Sequence, residues 1–272
     1  MGISINTNVT ATRASQFLAS NHQNLQHSLD RLSSGRRITQ PSDDAGGLAV
    51  SMKLEHTGKV LRGVSNNISN AISLLQVQDG ALKSAGEIIS RIGELKGLHD
   101  DVTKNTTDKE NYEAELTDLQ AQITSLIATE FNGVELFTQG QAASVTTINL
   151  DESGTQTMSW TPSDFTGTNV TDVSGGAGFA ALEITQTQIT TALQAIATMR
   201  ATNGGEVRRL QYAQANTNSQ ITNLTAAHGR IMDVDIAAES SNLAKQQILV
   251  QASAAMTAQA NMSNDVALML LR

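Results

Sequence analysis

The chain contains no cysteine, which excludes a disulfide scaffold and a thiolate zinc site. Secretion stays open, because a large assembly needs no internal staples. Aromatic residues are 3% of the sequence, a thin supply for a globular enzyme core, since aromatics bury the most area per residue. The only two prolines are Pro41 and Pro162, so long stretches are free to be helical. Charged residues are 16%. The polar surface is therefore largely Ser, Thr, Asn and Gln, neutral groups that repel one another little and suit dense self-association. No basic stripe offsets the net charge of -8, so nucleic acid does not fit as a partner. No run approaches the ~18 consecutive apolar residues of a membrane span. The N-terminus shows no basic segment followed by an apolar run, so no ordinary signal peptide is visible. Two locations remain: the cytoplasm, or export by a route that reads no cleavable signal.

What is present is helical periodicity. Leu18, His22, Leu25, Leu29 and Leu32 alternate by four and three, a heptad seam that begins near Ala11. Ser33-Ser34-Gly35 reads as a helix end, with Gly35 free to take the left-handed conformation. Pro41 and Ser42-Asp43-Asp44 read as a break and then the cap of a new helix. The longest stripe follows: Leu61, Val64, Ile68, Ala71, Leu75, Leu82, Ala85, Ile89 and Ile92, with Gln78 its one polar member. A helix from near Asp44 to near Leu98 would be roughly 80 Å long, more than a compact domain can house. His99 to Asp108 reads as a turn. Tyr112, Leu116, Leu119, Ile123 and Leu126 then share one face of a segment that can fold back on the long helix. It ends at Phe131-Asn132-Gly133-Val134, a strong hairpin signal.

From about Thr138 the composition turns to Thr, Ser, Gly and Asp. Val145, Ile148 and Leu150 suggest one strand, and Met158 and Trp160 another. This stretch is too polar to pack as a domain alone and reads as a surface excursion. Helical spacing returns with Ile189, Leu193 and Ile196; Asn203-Gly204-Gly205 is expected to loosen or break it. Val207, Leu210, Gln214, Thr217, Ile221, Leu224, His228 and Ile231 carry it on, and beyond Ile231 the seam shifts to Ile236, Leu243 and Val250. If the two ends pair, the middle is pushed to the far tip. A lone helix pair buries one stripe of each helix, and the apolar remainder marks an interaction surface. Repeated head-to-tail self-contact gives an open helical filament.

Specific motifs sharpen this. Ile5-Asn6-Thr7-Asn8, Arg31-Leu32-Ser33-Ser34-Gly35-Arg36-Arg37-Ile38 and Asp43-Asp44-Ala45-Gly46-Gly47-Leu48-Ala49-Val50-Ser51 resemble the N-terminal signature of bacterial flagellins. Arg230-Ile231-Met232-Asp233-Val234-Asp235-Ile236-Ala237, Ala258-Gln259-Ala260-Asn261 and the closing Leu270-Leu271-Arg272 resemble the C-terminal one. Gly46 departs from the family, which more often has alanine there, and Gly93 and Lys96 depart from the versions best recognised by the innate receptor for flagellin. The resemblance implies a mainly α fold: a long antiparallel helical bundle or coiled coil formed by the N- and C-terminal halves, with a small β-hairpin region in the middle. Residues 1–43 and 232–272 would form an inner coiled-coil domain plus linker, and 44–137 and 180–231 a helical rod domain. Residues 138–179 would stand in place of outer domains, making this a minimal flagellin.

The implied function is that of a non-enzymatic subunit polymerising into the extracellular flagellar filament, the propeller for swimming. Long helices that slip between two packings would set supercoil handedness and turn motor torque into thrust. The implied partners are the chain itself, the flagellar export apparatus, an export chaperone, the filament cap and junction proteins. The family is exported unfolded, which accounts for the missing signal peptide and fits the lack of cysteine.

Candidate residues fall into three sets. Subunit packing is assigned to Leu18, Leu25, Leu29, Leu32, Ile236, Leu243, Val250 and Leu270. Ion pairs of the linker are assigned to Arg31, Arg36, Arg37, Asp43 and Asp44. Arg91, Leu95 and Glu115 match by spacing the flagellin residues that contact the innate receptor Toll-like receptor 5. No cofactor is expected and no catalytic set is legible: His22, His27, His56, His99 and His228 form no His-Glu-x-x-His, and Gly58-Lys59 lacks the preceding glycine of a phosphate loop. Rival readings are a hook-filament junction protein and a cytoplasmic chemoreceptor-like signalling coiled coil. The polar stretch from 138 to 178 argues against the second.

Overall fold

The computed structural model describes residues 8–138, 146–165, 170–175 and 184–270, the side chains of 171, 174 and 263–270 excepted. Ile5-Asn6-Thr7, Val145, the Leu270 side chain, Leu271 and Arg272 lie outside what is described. The elements are α1 (Val9–Ser34), α2 (Ala45–His99), α3 (Thr106–Ile127), β1 (Glu130–Phe131), β2 (Val134–Glu135), β3 (Phe137–Thr138), β4 (Thr146–Asn149), β5 (Thr157–Trp160), β6 (Ser163–Asp164), α4 (Val170–Ser174), α5 (Gln186–Met232) and α6 (Ile236–Leu270). The fold is mainly α with a few short strands in the middle of the chain, as the periodicity implies. The chain divides into two compact units, one within Met1–Gly58 and Asn223–Arg272, the other Lys59–Thr222.

In the first unit α1 packs along α6. Asn8 caps α1, its side-chain oxygen accepting from the Ala11 N–H at 2.9 Å, and Gly35 ends the helix at φ 69°. A residue with a Cβ pays a steric penalty there, so glycine is the natural stop. Asp44 starts α2 by accepting from the Gly47 N–H at 2.8 Å. Asp235 starts α6 by accepting from the N–H groups of Ala237 and Ala238 at 2.9 and 3.1 Å.

The second unit has the core. Leu61, Val64, Ile68, Leu75, Leu82, Ala85, Ile89 and Ile92 of α2 are all buried, which is the stripe read from the sequence. One cluster joins α2 from Leu82 to Leu95 with Leu116, Ile123 and Ile127 of α3 and with Ile189, Ala192 and Ile196 of α5. Phe137 and Phe165 meet edge to face in it, ring centroids 4.9 Å apart. The turn between α2 and α3 closes with an Asn105–Asp108 capping box. β1 and β2 form the expected hairpin, with Asn132 and Gly133 both at positive φ (52° and 76°), the geometry of a type I′ turn. β3 and β6 pair parallel, and β4 and β5 pair antiparallel with Ile148 opposite Met158.

Two expectations are corrected. The β4–β5 hairpin is not pushed to a far tip: Met158 and Trp160 are 1% and 2% exposed, packed with Val64, Ile68 and Leu75 of α2 and Leu210 of α5. The hairpin alternates, so every second side chain faces the helices while the Thr and Ser between face water. Asn203-Gly204-Gly205 neither loosens nor breaks α5, which is continuous. Asn203 is 3% exposed and its amide donates to the Leu75 carbonyl of α2 at 2.9 Å. That bond and the burial around it outweigh the roughly 1 kcal/mol per glycine by which helix propensity falls.

Candidate assembly surface

The seam between α1 and α6 mixes leucine and valine with small and polar side chains. On α1 and its cap the covered or half-covered positions are Asn8, Ala11, Ala14, Leu18, Asn21, Leu25, Ser28 and Leu32, with His27 and Arg31 beside them toward Asp43; on α6 they are Glu239, Leu243, Gln246, Val250, Ser253, Thr257 and Ala260. Both sets keep the three-four alternation of a coiled coil. The pair is tied by specific polar contacts. The Asn8 amide donates to the Ala260 carbonyl at 2.9 Å, and the Asn21 amide donates to the Leu249 carbonyl and to Ser253 Oγ, both at 3.3 Å. Arg31 lies 4.0 Å from Glu239, which is itself buried.

Against this frame the predicted packing residues divide. Leu18, Leu25, Leu32, Leu243 and Val250 lie in the seam, half-buried. Leu29 and Ile236 do not: they are 48% and 66% exposed, and His22 is exposed as well. Asn21 and Ser28 occupy the seam positions expected of His22 and Leu29. The sequence contained the alternative, since Leu18-Asn21-Leu25-Ser28-Leu32 also alternates three and four, but weighting by hydrophobicity selected the larger neighbours.

The outward faces hold what the seam omits. Phe17, Leu29, Ile236, Ile248, Met256 and Met262 are all about half or more exposed. At about 100° per residue, Ile248, Met256 and Met262 share one face of α6, and Leu243, Val250 and Ser253 the opposite one. A helix with large apolar residues on the side away from its partner leaves a surface that water covers poorly.

The joint between the helices is a compact polar knot. The Arg37 N–H donates to the Met232 carbonyl at 2.6 Å and the Val234 N–H to the Gly35 carbonyl at 3.1 Å, framing a single antiparallel bridge between Arg36 and Asp233. The Arg37 guanidinium donates to the Ile231 carbonyl from two nitrogens, at 3.2 and 2.9 Å. Asp43 accepts from the N–H groups of Thr39 and Gln40, at 3.0 and 3.1 Å, and from the Thr39 hydroxyl. Arg31 and His27 stand 3.6 and 3.7 Å from Asp43. Desolvation works against its charge, but those N–H donors, the hydroxyl and Arg31 together hold the Asp43 carboxyl below its ordinary pKa. So of the five linker residues, Arg31 and Asp43 pair within the chain, Arg37 grips a helix C-terminus, Asp44 caps α2, and Arg36 lies on the bridge. Ile38 and Met232, 3% and 4% exposed, are the apolar part of this knot that the sequence did not single out.

In the second unit Arg91 and Glu115 meet on the surface, Nε to Oε1 at 2.8 Å, with Glu94 on the other side of the guanidinium at 2.9 Å. Hydrogen bonds from Glu115 and then Glu94 push the Arg91 pKa up, so its charge is permanent. Leu95 is not beside them on the surface. It is fully buried in the core with Ile92 and offers no area to a docking partner. Among the described residues no His, Asp and Glu gather as a metal site, and no helix is long and apolar enough to cross a membrane.

Paired terminal helices that leave part of their large apolar residues exposed fit a structural subunit that associates with other copies. The comparisons give its family. The bacterial flagellin N-terminal helical region matches residues 5–142 and the bacterial flagellin C-terminal helical region residues 186–271. Flagellin of Bacillus subtilis (strain 168) is 32% identical, the match covering 98% of this chain and 99% of that protein. The "Flagellar filament 33 kDa core protein" of Treponema phagedenis is 32% identical over the same shares. Flagellin of Listeria monocytogenes is 30% identical over 94% of this chain and 95% of its own length. The chain belongs to the bacterial flagellin family.

Proposed function

We propose that this chain is a structural subunit that polymerises into a flagellar filament. The observation that carries the reading is the inverted distribution of side chains on α6: Ile248, Met256 and Met262 face away from α1, while Gln246, Ser253 and Thr257 face it. Neighbouring copies covering that outer face gain roughly 25 cal/mol for each Å² of apolar surface removed from water. In this reading residues 1–43 and 232–272 form the inner coiled coil of the filament, and 44–137 and 180–231 the helical shell around it. Residues 138–179 replace the outer domains. Arg36 and the outer edges of Arg31 and Asp43 contribute ion pairs to adjacent subunits.

The subunit is exported without a cleaved signal by the flagellar export apparatus, with a chaperone covering its apolar ends. It adds beneath a filament cap onto junction proteins. The unassembled monomer presents the Arg91–Glu115 pair to Toll-like receptor 5, without Leu95. A receptor-reporter assay in which monomer and an Arg91→Ala variant give equal responses would remove that last element.

Electron microscopy of purified protein after salt-induced assembly tests the central claim, with long helical filaments the expected result. A chain truncated after Gln246 keeps the second unit and stays a soluble monomer. Filaments of normal length from the truncation, or none from the full chain under any assembly condition, refute the reading.

A further inference from the structure

The methionines are sorted by exposure. Met52, Met256 and Met262 are 63%, 63% and 58% exposed, and all three lie in the unit within Met1–Gly58 and Asn223–Arg272. Met158 and Met232 are 1% and 4% exposed, and Met199 packs half-buried against the core of the second unit. Exposed methionine is open to two-electron oxidation, whereas a sealed thioether is not. Met256 and Met262 also sit on the α6 face with Ile248, away from α1.

We infer that Met256 and Met262 are oxidation sites through which a peroxide controls assembly, with Met52 an exposed methionine that oxidises alongside them. The inference rests on the filament reading. The thioether sulfur attacks the terminal oxygen of a hydroperoxide, the O–O bond breaks as the S–O bond forms, and the proton passes to the departing oxygen. The sulfur is oxidised by two electrons, and the peroxide is reduced to water or alcohol. The product sulfoxide is polar and tetrahedral and needs a hydrogen-bond donor wherever it is buried. On α6 it changes nothing in the seam with α1, which contains no methionine among its described side chains. The monomer therefore keeps its fold. The outer face loses apolar area at positions where a neighbouring copy would offer apolar area in return. Once subunits cover that face the same sulfurs are shielded, so the monomer is the vulnerable state. Reduction of the sulfoxide restores the surface.

The test uses the full-length chain and hydrogen peroxide, with peptide mass mapping, circular dichroism and the critical concentration for assembly as readouts. In monomer, Met52, Met256 and Met262 oxidise about tenfold or more faster than Met158 and Met232. Preformed filaments lose most of that reactivity at Met256 and Met262. Oxidised monomer retains its helical signal, yet its critical concentration rises about tenfold or more, the scale set by losing one buried side chain of this size. Treatment with the two stereospecific methionine sulfoxide reductases and a thiol reverses the rise. A Met52→Leu/Met256→Leu/Met262→Leu variant assembles and is indifferent to peroxide. Unchanged assembly after complete oxidation at the three positions overturns the inference, as does an equal peroxide effect in the leucine variant. Those outcomes leave the filament reading intact. A full chain that never assembles untreated removes that reading and this inference together.

Discussion

Gln78 gives the sharpest test of how the second unit is held together. It is the one polar member of the α2 stripe, 1% exposed, where Leu would continue the run from Leu75 to Leu82. Its Nε2 donates to the Leu136 carbonyl at 2.9 Å and to Ser163 Oγ at 3.1 Å. Those acceptors adjoin β3 and begin β6, so a single amide fastens both strands of the parallel pair to the helix. In Gln78→Leu the side-chain volume stays, but Leu136, itself fully buried, loses its carbonyl's donor. An unsatisfied buried acceptor costs about 1–3 kcal/mol, against about 1 kcal/mol gained from added apolar burial. The net is a loss of up to about 2 kcal/mol. Gln78→Ala adds a cavity and should lose about 3 kcal/mol. For a unit of this size each kcal/mol moves Tm by about 2–4 °C. Trp160 is the only tryptophan and is buried in the same unit, so its fluorescence reports the transition alongside circular dichroism. If packing alone mattered, Gln78→Leu would raise Tm. A Tm above that of the parent chain refutes the reasoning, because packing alone predicts a gain.

Other expectations are as direct. Gly46 and Gly47 differ although adjacent: a Cβ at Gly46 would lie 3.6 Å from Asp44 Oδ1, an ordinary contact, whereas one at Gly47 would fall on the Asp44 carboxylate and 3.1 Å from Ile38 Cδ1. Gly46→Ala should therefore stabilise by up to ~1 kcal/mol, and Gly47→Ala should lose that gain by displacing the cap, seen as opposite Tm shifts. Trp160 is buried with no partner for its indole N–H among the described residues. Trp160→Phe should thus be nearly neutral while Trp160→Ala costs about 3–5 kcal/mol in denaturant titration. Asp43 has a folded pKa below its ordinary 3.8, so its stabilising contribution is complete above the unfolded value and is lost as pH falls through the lower folded one. The stability difference between the parent and Asp43→Asn should be constant at neutral pH and shrink below about pH 4; a difference that persists unchanged into strong acid would contradict the assignment.

The fold was most legible where one seam decides everything. The α2 stripe from Leu61 to Ile92 was readable because the same face is covered along its length, by α5, α3 and the strands in turn. The Asn132-Gly133 turn was readable because its requirement for positive φ is local. Where contacts are distant in sequence the pattern misled. Nothing near Gly204 announces that Asn203 will reach Leu75 across the bundle, so glycine propensity predicted a break. Nothing in Thr157–Trp160 says which surface will receive Met158 and Trp160. Spacing placed Leu95 beside Arg91, but the same spacing puts it one turn from Leu98 and next to the core face with Ile92, and burial took it inward.

At the terminal helices the difficulty is of another kind, and it bears on function. A helix that packs on one partner inside its own chain and on others between chains carries two seams in one sequence. Periodicity analysis returns their sum, weighted toward the more hydrophobic. Here the intrachain seam is the weaker signal, built from Asn21, Ser28, Gln246 and Ser253 with only Leu18, Leu25, Leu32, Leu243 and Val250 as large members. Leu29, Ile236, Ile248 and Met256 are among the large apolar residues left exposed in the single chain. A seam rich in small polar groups gives modest stability and a defined register, since each amide is satisfied in one alignment only. In the proposed filament the exposed apolar residues would be covered only after assembly. The exposure of Leu29 and Ile236, at 48% and 66%, is thus physically informative. Some of the residues that looked most like core on sequence, Leu29 and Ile236 among them, are ones that the monomer leaves uncovered, which is the condition a subunit must meet if polymerisation is to drive the ordering of its ends.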